Sequence, residues 1–179
     1  MPQTFDLTRN HFELFGIEPR FAVDLEALNR AWRSVQNEVH PDRFVHLPAA
    51  EQRAAMQWAT HVNGAFQTLK SPQARAKYLL ELKGEPVDEE GRADLPAEFL
   101  MEQMEWRERV GTAADTGDAA ALAALEQETA GALLQSHAAL AAALDREGDL
   151  GAAKQALFRL MFLVKLRAEI GDALEAAET

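Results

Sequence analysis

The stretch NEVHPDRFVHLP, residues 37–48, brings four residues with chemically useful side chains or backbones together: His40, Pro41, Asp42 and Arg43. Pro41 lacks a backbone donor and pushes His40 out of the α region, so a helix must end here and the chain must leave it in a fixed direction. His40 with Asp42, or His40 with His46, has the residue types of a general base or of part of a metal site in a hydrolase. A rigid turn with the same groups also suits recognition of another molecule, and a plain helix stop with polar turn residues is the simplest alternative.

The rest of the sequence does not supply an enzyme around this turn. The chain has no cysteine, which excludes cysteine nucleophiles, thiolate metal ligands and disulfides. Its five histidines have no metal-ligand spacing such as HExxH, and there is no phosphate-binding loop. A nucleophile and a third metal ligand are therefore both missing, and we expect no enzymatic activity, no cofactor and no metal site.

The charge of −11 is unevenly distributed along the 179 residues. Residues 1–83 hold 10 Lys+Arg against 9 Asp+Glu, net +1, whereas residues 84–179 hold 8 against 20, net −12. An acidic half repels nucleic acid and anionic lipid and favours basic protein partners, although carboxylates that only solubilise the surface would give the same count. No apolar run approaches the roughly 20 residues of a membrane span, and the N-terminus lacks the apolar core of a signal peptide. We expect a cytoplasmic protein that binds neither nucleic acid nor membrane.

Apolar residues at steps of three and four predict four helices in the first part of the chain: 8–15, 24–39, 49–70 and 72–82. The two long helices flank the turn at His40, and they must be antiparallel if the connecting loop is to close. They would therefore present His40 and its neighbours on a stiff support.

Residues 84–95, GEPVDEEGRADL, combine glycines, a proline and an acidic run with no apolar stripe, which predicts a boundary between two domains. Beyond it, three further helices are predicted: 96–110, 118–147 and 149–178, separated by GTAADTGD and EGD. No stretch alternates with a period of two for long enough to be a strand. The predicted fold class is all-α, with a four-helix domain over 1–83, a linker over 84–95 and a three-helix bundle over 96–179.

The helix predicted at 96–110 has apolar residues on two sides. Its core stripe consists of Phe99, Gln103, Trp106 and Val110, which lie on one side of a helical wheel. A second side has three apolar residues, which we call the methionine patch: Leu100, Met101 and Met104. Glu105 and Glu108 border this patch. A second apolar side needs a partner or another contact within the bundle, and methionine suits an adaptable contact surface.

The last predicted helix contains LFRLMFLVKL, residues 157–166, which is apolar almost all round. One stripe on the helical wheel consists of Leu157, Met161 and Val164. That assignment leaves Phe158 and Phe162 on another side. We expect this other side to join the methionine patch in one binding face.

The order of a short helix, a long helix ending in His-Pro-Asp, a loop, a second long helix and a short fourth helix resembles the J-domain. The resemblance implies that His40, Pro41 and Asp42 dock on a DnaK-type chaperone ATPase, with Asp42 as the acceptor for an arginine of the chaperone. Arg43 stands where many J-domains have lysine, which keeps the charge.

The resemblance also implies that basic residues of the second helix, here Arg30 and Arg33, meet an acidic groove of the chaperone. J-domains usually have a longer basic run on this helix. This chain departs from that pattern at Gln36 and Glu38. Docking that is weaker, or specialised for one chaperone, is the consequence we expect.

Three more stretches, HFELFGIEPRFAVD, RAKYLLELKG and FLMEQMEWRERV, extend the resemblance to the HscB family, the J-domain co-chaperones of bacterial iron–sulfur cluster assembly. This resemblance implies two partners, an HscA-type chaperone and the scaffold protein IscU. It assigns IscU binding to the methionine patch, Glu105, Glu108 and Phe162, although Met161 stands where members often have arginine. Human-type relatives have an additional cysteine module, so the absence of cysteine favours the bacterial form. The alternatives are a J-domain co-chaperone with another client and a helical adaptor without chaperone docking.

Overall fold

The computed structural model describes residues 8–39, 46, 48–87 and 95–177, and every regular element among them is helical. The elements are α1 (His11–Phe15), α2 (Leu25–Val39), α3 (Ala49–Lys70), α4 (Pro72–Leu82), α5 (Ala97–Thr116), α6 (Ala119–Ala142), a π-helical turn (Ala143–Glu147) and α7 (Leu150–Ala177). The chain divides into two compact units, Met1–Leu79 and Leu80–Thr179. The all-α class is confirmed, whereas the linker predicted at 84–95 stays a prediction because residues 88–94 lie outside the described residues.

The short helix α1 begins and ends at well-defined caps. The Asn10 side chain accepts hydrogen bonds from the backbone N–H groups of Phe12 and Glu13, at 3.0 and 2.9 Å. The Glu13 carboxylate accepts from the Asn10 backbone N–H at 3.0 Å, which completes a capping box. Gly16, with φ of 62°, takes the left-handed conformation that ends the helix. These caps explain how a five-residue helix is stable where Phe12 is buried.

The core of the first unit holds α1, α2 and α3 together around buried aromatic and aliphatic side chains, including Phe12, Leu28, Val62, Phe66 and Leu69. Arg75 of α4 is buried beside this core. Its guanidinium donates a hydrogen bond to the backbone oxygen of Leu69 at 2.6 Å and lies 5.0 Å from the ring centroid of Phe21. Because a buried charge is stable only when it is well paired, Arg75 fixes α4 and the segment containing Phe21 to the end of α3.

In the second unit, α6 lies along α7, and α5 packs against both. The core side of α6 includes two polar residues, Thr129 and Ser136, which are both buried. Their hydroxyls donate to the backbone oxygens of Leu125 and Ala132 at 2.6 and 3.0 Å. Since these bonds satisfy the hydroxyls within the helix, the polar residues interrupt the apolar stripe without a large cost.

Helix α5 is longer than the sequence predicted. The predicted end was Val110, before the stretch GTAADTGD, but the helix continues to Thr116. Gly111 is helical, and the glycine that ends the helix is Gly117, with φ of 63°. Ala113 is buried in the core of the unit, so packing of this extra segment outweighs the weak helix propensity of the glycine before it.

The stripe predicted on α7 is wrong for two of its three members. Leu157 is fully buried, but Met161 is only half-buried, and Val164 is 42% exposed. The buried residues of this helix are Ala153, Leu157, Leu160, Phe162, Leu163, Leu166 and Ile170. Because almost every side of this helix is apolar, periodicity alone could not select the buried side, and packing against α5 and α6 decides it.

Candidate functional site

Helices α2 and α3 are antiparallel and joined by side-chain contacts. The ring of Trp32 stacks on Phe66, with centroids 4.6 Å apart and 20° between the planes. The side-chain oxygen of Asn63 accepts two hydrogen bonds, from the Trp32 indole at 3.1 Å and from the Gln36 amide at 2.6 Å. Gln36 lies one turn before the end of α2, so these contacts fix the helix that leads into the turn at residue 40.

The four residues of the predicted recognition turn, His40, Pro41, Asp42 and Arg43, lie outside the described residues. The structure describes α2, which leads into this turn, and α3, which follows it. The role of these four residues stays a prediction from the sequence.

The two basic residues predicted to assist docking, Arg30 and Arg33, are both exposed on α2. The guanidinium of Arg30 also lies 3.9 Å from the Asp24 carboxylate and 3.7 Å from that of Glu26. Hydrogen bonds from the backbone N–H groups of Ala27 and Glu26, aided by the charge of Arg30, hold the pKa of Asp24 below its usual range. Asp24 is thus the ionised cap of α2, and part of the positive charge of Arg30 is balanced within the helix.

The methionine patch predicted on α5 is exposed. Leu100 is 44% exposed, Met101 62% and Met104 71%. Glu105 and Glu108 are also exposed, and each lies four residues after a methionine, on the adjacent turn. The alternative, in which these apolar residues pack against a neighbouring helix of the bundle, is therefore wrong for the described residues.

Phe162, in contrast, is a core residue. Only 8% of it is exposed, and it belongs to the buried cluster that includes Val110, Leu163 and Leu166. The expectation that Phe162 lies on an exposed side of α7 is therefore wrong. Its ring packs against the half-buried Phe99 of α5.

A groove of about 150 Å³ between α5 and α7 connects Phe162 with the methionine patch. Nine residues line it: Leu95, Phe99, Leu100, Gln103, Arg107, Phe158, Met161, Phe162 and Lys165. The guanidinium of Arg107 lies 5.9 Å from the centre of the Phe162 ring. Leu100 and Phe162 thus share one groove, the first as an exposed residue and the second as part of its wall.

Sequence reasoning did not include Arg107 in the site. The signal was present, because Arg107 follows Met104 by three residues and so lies on the adjacent turn of the same helix. The groove therefore has an apolar lining with cationic groups at Arg107 and Lys165, whereas the carboxylates of Glu105 and Glu108 lie on the exposed surface of α5.

A larger cavity of about 460 Å³ lies among α5, α6 and α7. The Arg159 guanidinium and the Glu102 carboxylate form an ion pair in its lining, and Phe99 lines both this cavity and the groove. Arg159 was one of the two charged residues that interrupt the apolar run of α7. Its position explains that interruption, since it lies at this cavity and not in the core.

Across the part of the chain that the structure describes, no three potential metal ligands come together, and no helix is long and apolar enough to cross a membrane. The sites described above are an exposed surface of α5, a groove and a cavity between helices. Their chemistry is that of protein–protein contact: exposed apolar side chains with charged neighbours.

Comparison with known proteins identifies the family. The family model described as the HSCB C-terminal oligomerisation domain matches residues 95–171, which contain α5, α6 and most of α7. The co-chaperone protein HscB homolog of Azoarcus sp. (strain BH72) is 49% identical over 173 residues, which is 97% of this chain and 98% of the relative. The chain belongs to the HscB co-chaperone family. A second family member, from Aromatoleum aromaticum, is 44% identical over 98% of this chain and 99% of its own.

Solved structures of HscB proteins have the same fold. The chaperone HscB from Vibrio cholerae is 33% identical, with a TM-score of 0.83 over 94% of this chain and 99% of its own. The human co-chaperone protein HscB is 28% identical, with a TM-score of 0.85 over 93% of this chain and 82% of its own. The resemblance to HscB and the predicted architecture, an N-terminal J-domain followed by a three-helix bundle, are confirmed.

Proposed function

We propose that the protein is a co-chaperone of iron–sulfur cluster assembly, which stimulates the ATPase of an HscA-type, DnaK-family chaperone and delivers the scaffold protein IscU to it. Membership of the HscB family supports a co-chaperone role, because its relatives are named as co-chaperones. The observation that carries the client assignment is the exposure of the methionine patch within the residues that match the family's C-terminal domain.

The chaperone-binding part of the proposal assigns residues 1–83 as the J-domain. His40, Pro41 and Asp42 would contact the ATPase domain of the chaperone, with Asp42 accepting a charge-assisted hydrogen bond from an arginine. Loss of one partner of such a desolvated pair costs roughly 2–5 kcal/mol. The antiparallel pair of α2 and α3, joined through Asn63, supports this role by holding the helix ahead of the turn.

Arg30, Arg33 and Arg43 would add attraction to an acidic surface of the chaperone. Arg30 contributes less than a full charge to this attraction, since Asp24 and Glu26 lie within 4 Å of its guanidinium. This internal pairing adds to the reduced basic character of the helix at Gln36 and Glu38. We infer that the turn, and not the helix, supplies most of the specific contact.

The client-binding part of the proposal assigns residues 96–179, beyond the linker at 84–95. The methionine patch would supply apolar anchors, and Glu105 and Glu108 would attract basic residues of IscU. Phe162 would act mainly as the buried support of the groove that borders Leu100. Such an arrangement, with a few apolar anchors beside charged residues, is typical of protein interfaces.

This function requires no catalytic residue, cofactor or resident metal, and the relatives are named as co-chaperones and not as enzymes. The protein would act in the bacterial cytoplasm and bind neither nucleic acid nor membrane. The alternative function for a protein with this fold is that of a general J-domain co-chaperone, which would bind unfolded segments of many proteins.

A binding comparison separates these two functions. The full-length protein is titrated by calorimetry with folded IscU and, in parallel, with a permanently unfolded model client. We expect binding to IscU and none to the unfolded protein, because the methionine patch is a small surface on a rigid helix. Binding to the unfolded client alone would contradict the iron–sulfur assignment and favour the general co-chaperone.

A further inference from the structure

The two most exposed methionines that the structure describes lie in the methionine patch. The chain has five methionines and no cysteine, so no thiol competes with the thioethers for oxidants. Among the described methionines, Met101 and Met104 are 62% and 71% exposed, Met56 of α3 is 61% exposed, and Met161 is half-buried. Two of the three exposed thioethers are therefore three residues apart on α5, on the surface proposed to bind the client.

We propose that Met101 and Met104 form a reversible oxidation site that switches off client binding. In this reaction each thioether sulfur loses two electrons to a hydroperoxide and gains one oxygen atom. The O–O bond of the oxidant breaks, and hydrogen peroxide leaves as water. The product is methionine sulfoxide, which methionine sulfoxide reductases convert back to the thioether at the expense of a thiol reductant.

The neighbours of these two residues explain why oxidation would weaken binding. A sulfoxide oxygen is a hydrogen-bond acceptor, and burying it in an interface requires a donor. Glu105 and Glu108 lie one turn from Met101 and Met104. An ionised carboxylate accepts hydrogen bonds but cannot donate one. Arg107, three residues after Met104, is a donor on the adjacent turn, but its guanidinium already lies over the ring of Phe162. A new oxygen on Met104 would compete with that ring for Arg107, and an oxygen on Met101 has only carboxylates and apolar side chains one turn away.

This inference rests on the proposed function, since a switch requires that the methionine patch binds the client. Oxidation itself does not depend on that assignment. It depends only on the exposure of the two methionines, so the experiment has two separate readouts.

The first readout is the order of oxidation. The folded full-length protein is treated with increasing hydrogen peroxide, and peptide mass mapping records the gain of one oxygen atom at each methionine. We expect Met101 and Met104 to be oxidised well before Met161, which packs in the groove. Oxidation of Met161 first, or of all three together, would overturn the site.

The second readout is affinity for IscU, measured by calorimetry before and after oxidation. We expect a loss on the order of tenfold or more, as for truncation of an interface anchor, and recovery after treatment with the reductases. The double variant Met101→Leu/Met104→Leu should bind IscU and keep its affinity in peroxide. The matched control Met56→Leu should stay sensitive, because Met56 lies in the other unit.

Three outcomes would overturn the switch: full affinity with both methionines oxidised, an equal loss in the double leucine variant, or a collapsed melting transition after oxidation. The last result would show that peroxide damages the fold and not the surface. If the untreated protein does not bind IscU at all, the client assignment fails instead, and the order of oxidation still decides whether the site exists.

Discussion

The rings of Phe99 and Phe162 meet edge to face, with centroids 6.2 Å apart and an angle of 88° between their planes. This contact joins α5 to α7 in the wall of the groove that borders the methionine patch. Edge-to-face packing is a favoured arrangement of aromatic pairs and contributes about 0.5–1.5 kcal/mol beyond the area buried. The pair therefore couples the stability of the bundle to the shape of its proposed binding face.

Replacing Phe162 by alanine should destabilise the second unit by about 3–5 kcal/mol, because it removes a buried ring and leaves a cavity. The loss of IscU affinity would then accompany a loss of fold. Chemical denaturation followed by circular dichroism measures this change. A variant with unaltered stability would show that Phe162 is not the core residue its burial indicates.

The double variant Leu100→Ala/Met104→Ala should behave in the opposite way. Both side chains are exposed, so their truncation creates no cavity, and the melting temperature should change little. IscU affinity should fall, since each truncated anchor costs roughly 1–2 kcal/mol. Leu134→Ala, at an exposed leucine of α6, is the matched control and should leave affinity unchanged. Equal affinity of the double variant and the wild type would remove the patch from the interface.

Asn63→Ala should weaken the contact between α2 and α3. It removes the acceptor for Trp32 and Gln36, at a cost of about 1 kcal/mol for exposed hydrogen bonds. Because Gln36 precedes the recognition turn by one helical turn, we expect lower chaperone stimulation with normal helical content. Thr60→Ala, which removes a bond only within α3, is the control. Equal ATPase stimulation by the two variants would separate this contact from docking.

The cap at Asp24 should give a defined pH dependence. Its pKa is depressed in the folded protein, so its contribution to stability is present above the ordinary carboxyl pKa of about 4 and is lost as the pH falls through the lower folded-state pKa. Asp24→Ala should therefore melt at a lower temperature than the wild type at neutral pH, and the difference should shrink in acid. Asp24→Asn, which keeps a capping oxygen without the charge, should lack this pH-dependent part. A constant difference at all pH values would contradict the assignment.

Reversing the charges of Glu105 and Glu108 to lysine should slow association with IscU and reduce the dependence of the association rate on salt, because long-range attraction acts mainly on the approach of two proteins. Stopped-flow or surface-based kinetics at several salt concentrations measures both effects. The control for net charge is the same double reversal at Glu147 and Glu169, which are exposed and lie outside α5. The same slowing in the control would attribute the effect to overall charge and not to this surface.

The sequence predicted the helices and the exposed methionine patch because strong local signals specify them, such as apolar residues at steps of three and four and the two-sided pattern of α5. It placed the end of α5 at Val110 because glycine is a weak helix former, and only packing of Ala113 shows that the helix continues. It misjudged α7 because a nearly all-apolar helix has no periodic signal, so contacts with α5 decide that Phe162 is buried and Val164 exposed. The position of Arg107 one turn after Met104 could have been read from the sequence, but its contact with the Phe162 ring could not, because that ring comes from another helix.

The central claim is that one chain links an HscA-type chaperone to IscU. Its most direct test is the steady-state ATPase rate of that chaperone with this protein, with IscU, and with both together. We expect stimulation by the pair to exceed the sum of the separate effects, and His40→Gln or Asp42→Asn to abolish it while IscU binding persists. Merely additive rates, or undiminished stimulation by both variants, would contradict the claim.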